Sequence, residues 1–202
     1  MSMMISSTTN VSLLETLRGG QNQRAWAEFF EGYAPLLLMF ARRLGLSHAD
    51  AGDAVQETLV AVYTAFRDMP VPFDRSKSRF KTWLRGVAAH KVRDIQRRRA
   101  RGGPSRTQRA VEERDAVVEG PDVDKAFEVE WQRNVLSRAL TQVAREIDPA
   151  VFQAFELYVV HDQPPEKVAR LLGVTRNAVY ISKARVLRRL RGVLAGLIEA
   201  EE

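Results

Sequence analysis

PPEKVARLLGVTRNAVYISKARVLRRLR, Pro164 to Arg191, reads as two helices joined by a tight turn, the second of them strongly basic. Pro165 suits the first turn of a helix, where its missing N–H would have no partner anyway. Val168, Leu171 and Leu172 form an i, i+3, i+4 apolar stripe, and Ala169 leaves room for a crossing helix. Gly173 follows, the residue that most readily takes the left-handed backbone ending a helix. Thr175 is placed to cap a second helix in which Val179, Ser182, Val186, Leu190 and Val193 recur as a packing face.

The other side of that second helix carries Asn177, Tyr180, Ile181, Ala184, Arg185 and Arg188, with Arg176 and Arg191 at its margins. Six basic residues and no acidic one lie between Arg176 and Arg191. A solvated surface helix can look basic too, but it usually interleaves carboxylates. A helix presenting arginines and small apolar groups fits a major groove, where arginine reads guanine and methyl-sized groups meet thymine.

Composition agrees with a polyanionic partner. The 202 residues carry a net charge of +6 and a pI of about 10.0, and their 45% hydrophobic content is ordinary for a globular chain. There is no cysteine, which excludes disulfides, thiol catalysis and cysteine-ligated metal. His48, His90 and His161 are scattered along the chain, so no metal or cofactor site is expected. Gly19-Gly20 and Gly102-Gly103 lack the flanking residues of a phosphate-binding loop. No apolar run approaches the roughly 20 residues that span a bilayer. MSMMISSTTN has no signal-peptide layout, and a cytoplasmic protein without membrane insertion is expected.

Few segments alternate with strand period, so the expected fold is all-α: two helical modules joined by a flexible linker, the C-terminal one containing the helix-turn-helix. Residues 99–128 mix glycine, proline and both charge signs with little apolar content and read as the linker. Residues 11–98 form the first module and 129–198 the second. In the first, Trp26, Phe29, Phe30, Tyr33, Leu36, Leu37 and Phe40 are core candidates, with Pro35 expected to kink or divide their helix. Ser47 caps a helix with an apolar stripe at Val55, Leu59, Val62 and Phe66; Asp53, Gln56, Glu57 and Val60 share another side of it. MPVPFDRSKS, Met69 to Ser78, reads as a loop, followed by a helix from Phe80 to Ile95 that ends in a basic run. Trp83 suits either stacking on an unpaired base or burial. In the second module Trp131, Val135, Leu136, Ala139, Val143 and Ile147 mark one helix, and Phe152, Phe155, Leu157, Tyr158 and Val159 a short one started by Asp148-Pro149.

Three blocks in order, DAGDAVQETLVAVYTAF at Asp50 to Phe66, RFKTWLRGVAAHKVRDIQRRR at Arg79 to Arg99 and EKVARLLGVTRNAVYISKARVLRRLR at Glu166 to Arg191, resemble the extracytoplasmic-function (ECF) sigma factors of bacterial RNA polymerase. The resemblance implies that 11–98 is sigma region 2 and 129–198 sigma region 4. It implies that Asp53, Gln56 and Glu57 dock on the clamp helices of core polymerase. Phe73, Asp74, Arg75, Ser76, Lys77 and Arg79, with Lys81, Trp83, Arg85, Lys91 and Arg93, would then hold the single-stranded -10 element. Arg176, Asn177, Tyr180, Ile181, Ala184, Arg185 and Arg188 would read the -35 element in duplex form, while the same module touches the polymerase flap. Ser182 stands where many relatives carry arginine, and His90 where many carry asparagine.

The implied function is a promoter-specificity subunit with no catalytic activity and no cofactor, held in check by an anti-sigma factor of unknown identity. The alternative is an autonomous helix-turn-helix regulator, which gives the Asp53, Gln56, Glu57 face no purpose. An enzyme acting on nucleic acid would need paired carboxylates, metal ligands or an activated nucleophile, and the sequence offers no such constellation.

Overall fold

The computed structural model describes residues 13, 14, 16, 17, 21–68, 79–100 and 120–201, with side chains to Ile198. The described elements are helical throughout: α1 Gln23–Arg43, α2 His48–Asp68, α3 Phe80–Ala100, α4 Pro121–Glu146, α5 Pro149–Phe155, a π-helical turn Glu156–Val160, α6 Pro165–Leu172 and α7 Arg176–Glu201. They divide into two compact units, and the division falls between Asn134 and Val135, inside α4.

In the first unit, Asn22 accepts a hydrogen bond from the Ala25 amide (3.1 Å) to start α1, and Gly45 at φ +89° turns the chain out of it. Trp26, Phe29, Tyr33, Leu36, Leu37 and Phe40 are buried along one face, as their spacing predicts, while Phe30 is half-buried. Pro35 does not divide the helix, which runs unbroken through it. Ser47 caps α2, its Oγ accepting from the Asp50 amide at 3.2 Å while its hydroxyl donates to the Asp50 carboxylate. The buried side of α2 is Ala51, Ala54, Thr58, Val62 and Phe66. Val55 and Leu59, expected in the stripe, are only half-buried, because small residues let α2 sit close against α1 and α3. Thr58 returns its hydroxyl to the Ala54 carbonyl at 2.7 Å, which removes the cost of burying it.

Residues 101–119 of the expected linker lie outside the described residues. Of the remainder, Arg99 and Ala100 end α3, and α4 begins at Pro121, after Gly120. Its first half belongs to the first unit rather than to a second module starting at 129. Phe127 and Trp131 are buried there, Phe127 edge-on to Phe40 (5.1 Å between centroids), Trp131 against Tyr33 (6.0 Å) and Phe80 (6.5 Å). Asn134 donates to the Gly32 carbonyl at 2.7 Å, and Arg43 grips Glu130 at 2.6 Å. Large aromatic surfaces outweigh the mixed charge that makes residues 121–128 read as a connection.

The second unit is built on the helix-turn-helix. Asp148 caps α5 by accepting from the Ala150 amide at 2.9 Å. Gly173 ends α6 with φ +66°, in the left-handed region its position predicts, and Thr175 Oγ1 accepts from the Ala178 amide at 3.1 Å to begin α7. Val168, Ala169, Val179 and Ala154 form the core cluster, flanked by Leu157, Tyr158 and Leu172. Leu171 points outward at 61% exposure, so the α6 stripe is Val168 and Leu172 with Ala169. Leu136 is likewise exposed, although its neighbours Val135, Ala139 and Val143 are buried.

Candidate nucleic-acid interface

The packing face of α7 is the predicted one: Val179, Ser182, Val186, Leu190 and Val193 are all buried. That fixes what faces outward. Arg176, Asn177, Tyr180, Ile181, Ala184, Arg185 and Arg188 are exposed, so every expected -35 residue shares the solvent side of one helix. Ile181 is 59% exposed.

The charges on this face are not equivalent. Arg176 is engaged with Glu166 at 3.0 Å and lies over the Tyr180 ring, 5.9 Å from its centroid. Tyr180 in turn meets Tyr158 edge-on at 5.7 Å, which holds its ring against the unit while leaving one side open. Arg189 pairs with Glu146 at 2.5 Å; that hydrogen bond, joined by one from Gln142, holds the Glu146 carboxyl below the usual carboxylate range. Arg185 and Arg188 have no ion pair among the described residues, and with Glu146, Ile147, Arg189 and Gly192 they line a shallow depression. Ser182 is on the buried face at 8% exposure.

In the first unit the three residues of the expected polymerase-docking face separate. Asp53 and Gln56 are exposed on α2, and Val60, one turn on, is 64% exposed. Glu57 is half-buried and already partnered, by Arg98 at 2.5 Å and Lys91 at 4.0 Å, both from α3. The α3 terminus is also tied down by Arg99, which pairs with Asp50 at 2.5 Å. The Ser47 hydroxyl first, with Arg99 adding to it, holds the Asp50 carboxyl below its ordinary range.

Of the expected -10 residues, Phe73, Asp74, Arg75, Ser76 and Lys77 lie outside the described residues. Arg79 is exposed at the start of α3. Trp83 is half-buried, edge-on to Phe66 at 5.9 Å and tilted against Phe80 at 5.9 Å, so it closes the aromatic core while keeping an exposed side. Lys81 and Arg85 lie one turn apart on α3 and both meet the first half of α4. Lys81 pairs with Glu128 at 2.5 Å and sits 5.6 Å from the Trp131 ring centroid; Arg85 pairs with Asp124. Arg93 is half-buried further along α3. The α4 contacts escaped sequence reading because they join residues about forty positions apart. The signal within reach was Phe127 and Trp131 at i, i+4 after a glycine-proline helix start.

Among the described residues no cluster of three or more His, Asp or Glu side chains is placed to hold a metal ion, and no helix is long and apolar enough to cross a membrane.

Residues 29–102 match the family described as sigma-70 region 2. The chain is 32% identical over 185 residues to the ECF RNA polymerase sigma factor SigD of Mycobacterium tuberculosis (strain ATCC 25618 / H37Rv), a span of 88% of this chain and 79% of that protein. It is 25% identical over 175 residues to the RNA polymerase sigma factor NccH of Alcaligenes xylosoxydans xylosoxydans, covering 86% and 88% of the two chains. The solved structure of CnrH in complex with the cytosolic domain of CnrY is 21% identical, with 92% of this chain and 97% of that one covered and a TM-score of 0.37.

Proposed function

This chain belongs to the extracytoplasmic-function sigma factors of bacterial RNA polymerase, and from that membership we propose how its two units divide the work. The protein directs promoter-specific initiation of transcription, and its partners are core RNA polymerase and promoter DNA. In the first unit, acting as region 2, Asp53 and Gln56 dock on the clamp helices, with Glu57 supporting them from its ion pairs with α3. The segment Phe73 to Arg79 and the α3 residues Lys81, Trp83, Arg85, Lys91 and Arg93 take the -10 strand, because cations beside an aromatic edge are what single-strand capture needs. In the second unit, acting as region 4, α7 enters the -35 major groove and the same unit meets the flap. The protein performs no chemical step; polymerase supplies catalysis. An anti-sigma factor of unidentified sequence is its expected regulator, and the cytoplasm its expected location.

The observation that supports the reading best is the solvent side of α7, where Arg185 and Arg188 stand exposed, without carboxylate partners among the described residues, beside Ala184 and Ile181. A lone regulator would use that helix equally well, but would leave the exposed Asp53 and Gln56 on α2 without a partner. Co-purification with core polymerase separates the two. The sigma reading expects stoichiometric association that Asp53→Lys with Gln56→Lys abolishes, while duplex DNA binding persists; DNA binding with no polymerase association supports the regulator.

A further inference from the structure

The residues that take the -10 strand in the reading above are not vacant. Glu128 and Asp124, one turn apart on α4, face Lys81 and Arg85, one turn apart on α3, and each carboxylate meets one cation. The hydrogen bond from Lys81 holds the Glu128 carboxyl below its ordinary range. The segment from Pro121 to Asn134 carries four carboxylates and only two basic residues. Phe127 and Trp131, at 1% and 6% exposure, root it in the aromatic core, and Asn134 and Glu130 tie its end to Gly32 and Arg43.

We propose that the first half of α4 is a built-in competitor for the promoter strand: Asp124 and Glu128 hold Lys81 and Arg85 where DNA phosphates would bind, and the strand must exchange with them. The proposal rests on the reading that Lys81 and Arg85 contact the -10 strand. The device is shaped for exchange rather than permanent closure. Its anchors are buried and apolar, whereas the two ion pairs are partly exposed: Asp124 and Glu128 retain 48% and 45% of their side-chain surface. Exposed pairs are weak and screened by salt, so phosphates displace the carboxylates without unpacking Phe127 or Trp131. The free protein thereby binds stray single strands poorly, and the strand that gains most is the one polymerase holds in place at high effective concentration. Charge balance gives a second signature. Each phosphate that replaces a carboxylate frees a negative group that gathers counterions, so net counterion release, and with it the salt dependence of binding, is reduced.

The test uses the full chain and a short fluorescein-labelled single-stranded oligonucleotide of mixed sequence, followed by anisotropy across a salt series. D124N/E128Q is expected to tighten binding about three- to thirtyfold at low salt, and to steepen the slope of log affinity against log salt by on the order of one. E28Q/E31Q, which removes the same charge from α1, is expected to change affinity less than about twofold. Adding K81A/R85A to D124N/E128Q should erase the gain. Equal gains from both carboxylate pairs, or a gain that survives K81A/R85A, would overturn the proposal by showing a general charge effect. If K81A/R85A weakens the unmodified protein but D124N/E128Q gains nothing, the competitor is refuted while the strand contacts stand. No effect of K81A/R85A in either background refutes the strand contacts themselves. Circular dichroism melting of each variant accompanies the titrations, so that a lost gain is read only from folded protein.

Discussion

Arg98 Nη2 lies 2.5 Å from Glu57 Oε1, so the basic end of α3 neutralises one carboxylate of the α2 surface expected to dock on polymerase. Asp53, one turn earlier on α2, is exposed. The pair divides a face that sequence spacing treats as uniform into a supported residue and a presented one.

Asp53→Lys is therefore expected to weaken association with core polymerase by roughly tenfold or more, the scale of placing like charges together at an interface. It should leave unfolding within about 0.5 kcal/mol of the parent, as for surface changes in general. Glu57→Lys should both weaken association and lower stability, because it sets a cation against Arg98 and Lys91. Surface binding to immobilised core polymerase, with urea unfolding in parallel, separates the two effects. Equal unfolding free energies for both variants would contradict the division.

Trp131→Ala should cost the first unit about 3–5 kcal/mol, the range for removing a buried aromatic. Leu136→Ala, five residues later but 44% exposed, should stay within about 0.5 kcal/mol. The contrast separates the buried face of α4 from its exposed face, and urea unfolding followed by tryptophan fluorescence and circular dichroism reads it.

Arg185→Ala should remove about 1–3 kcal/mol of -35 discrimination, the worth of a bidentate contact to a base. Ser182→Ala should leave discrimination unchanged, since Ser182 is on the buried side of α7. Competition binding of holoenzyme to promoters carrying single -35 substitutions is the measurement. Unaltered selectivity in the Arg185 variant would remove that residue from the reading set.

Acid should loosen the second unit through Glu146. The hydrogen bond from Arg189 lowers its carboxyl below the value it has in the unfolded chain. The unfolded state then binds the proton more readily. The stabilisation is full above the ordinary carboxylate range and is lost as pH falls through the depressed native value. Glu146→Gln should flatten that part of the melting temperature profile between about pH 5 and pH 3. A profile as steep as the parent's would place the acid sensitivity elsewhere.

Much of this architecture is legible in the sequence where local chemistry decides the structure. Gly173, Thr175, Asp148 and Ser47 take the turn and cap roles that their residue types imply, and the α7 periodicity separates buried from exposed side chains. Reading fails where tertiary contacts overrule composition. Pro35 is carried within α1, where aromatic packing on Phe29, Tyr33 and Phe40 favours an unbroken helix. Residues 121–128 look like a linker by charge but join the core through Phe127, and Trp131, read as part of the second module, is core of the first unit. Leu171 looks like core by spacing, yet α6 is only eight residues long and buries a narrow face. The pairing of Lys81 with Glu128 and of Arg85 with Asp124 has no local signature at all, since it exists only once α4 has packed on the first unit.

The most direct test of the central claim is transcription reconstituted with purified core polymerase and this protein on genomic DNA, with transcript starts mapped. The account predicts new start sites preceded by a shared two-part element, lost with Asp53→Lys combined with Gln56→Lys and redistributed or weakened with Arg185→Ala. Absence of any initiation dependent on the added protein would contradict it.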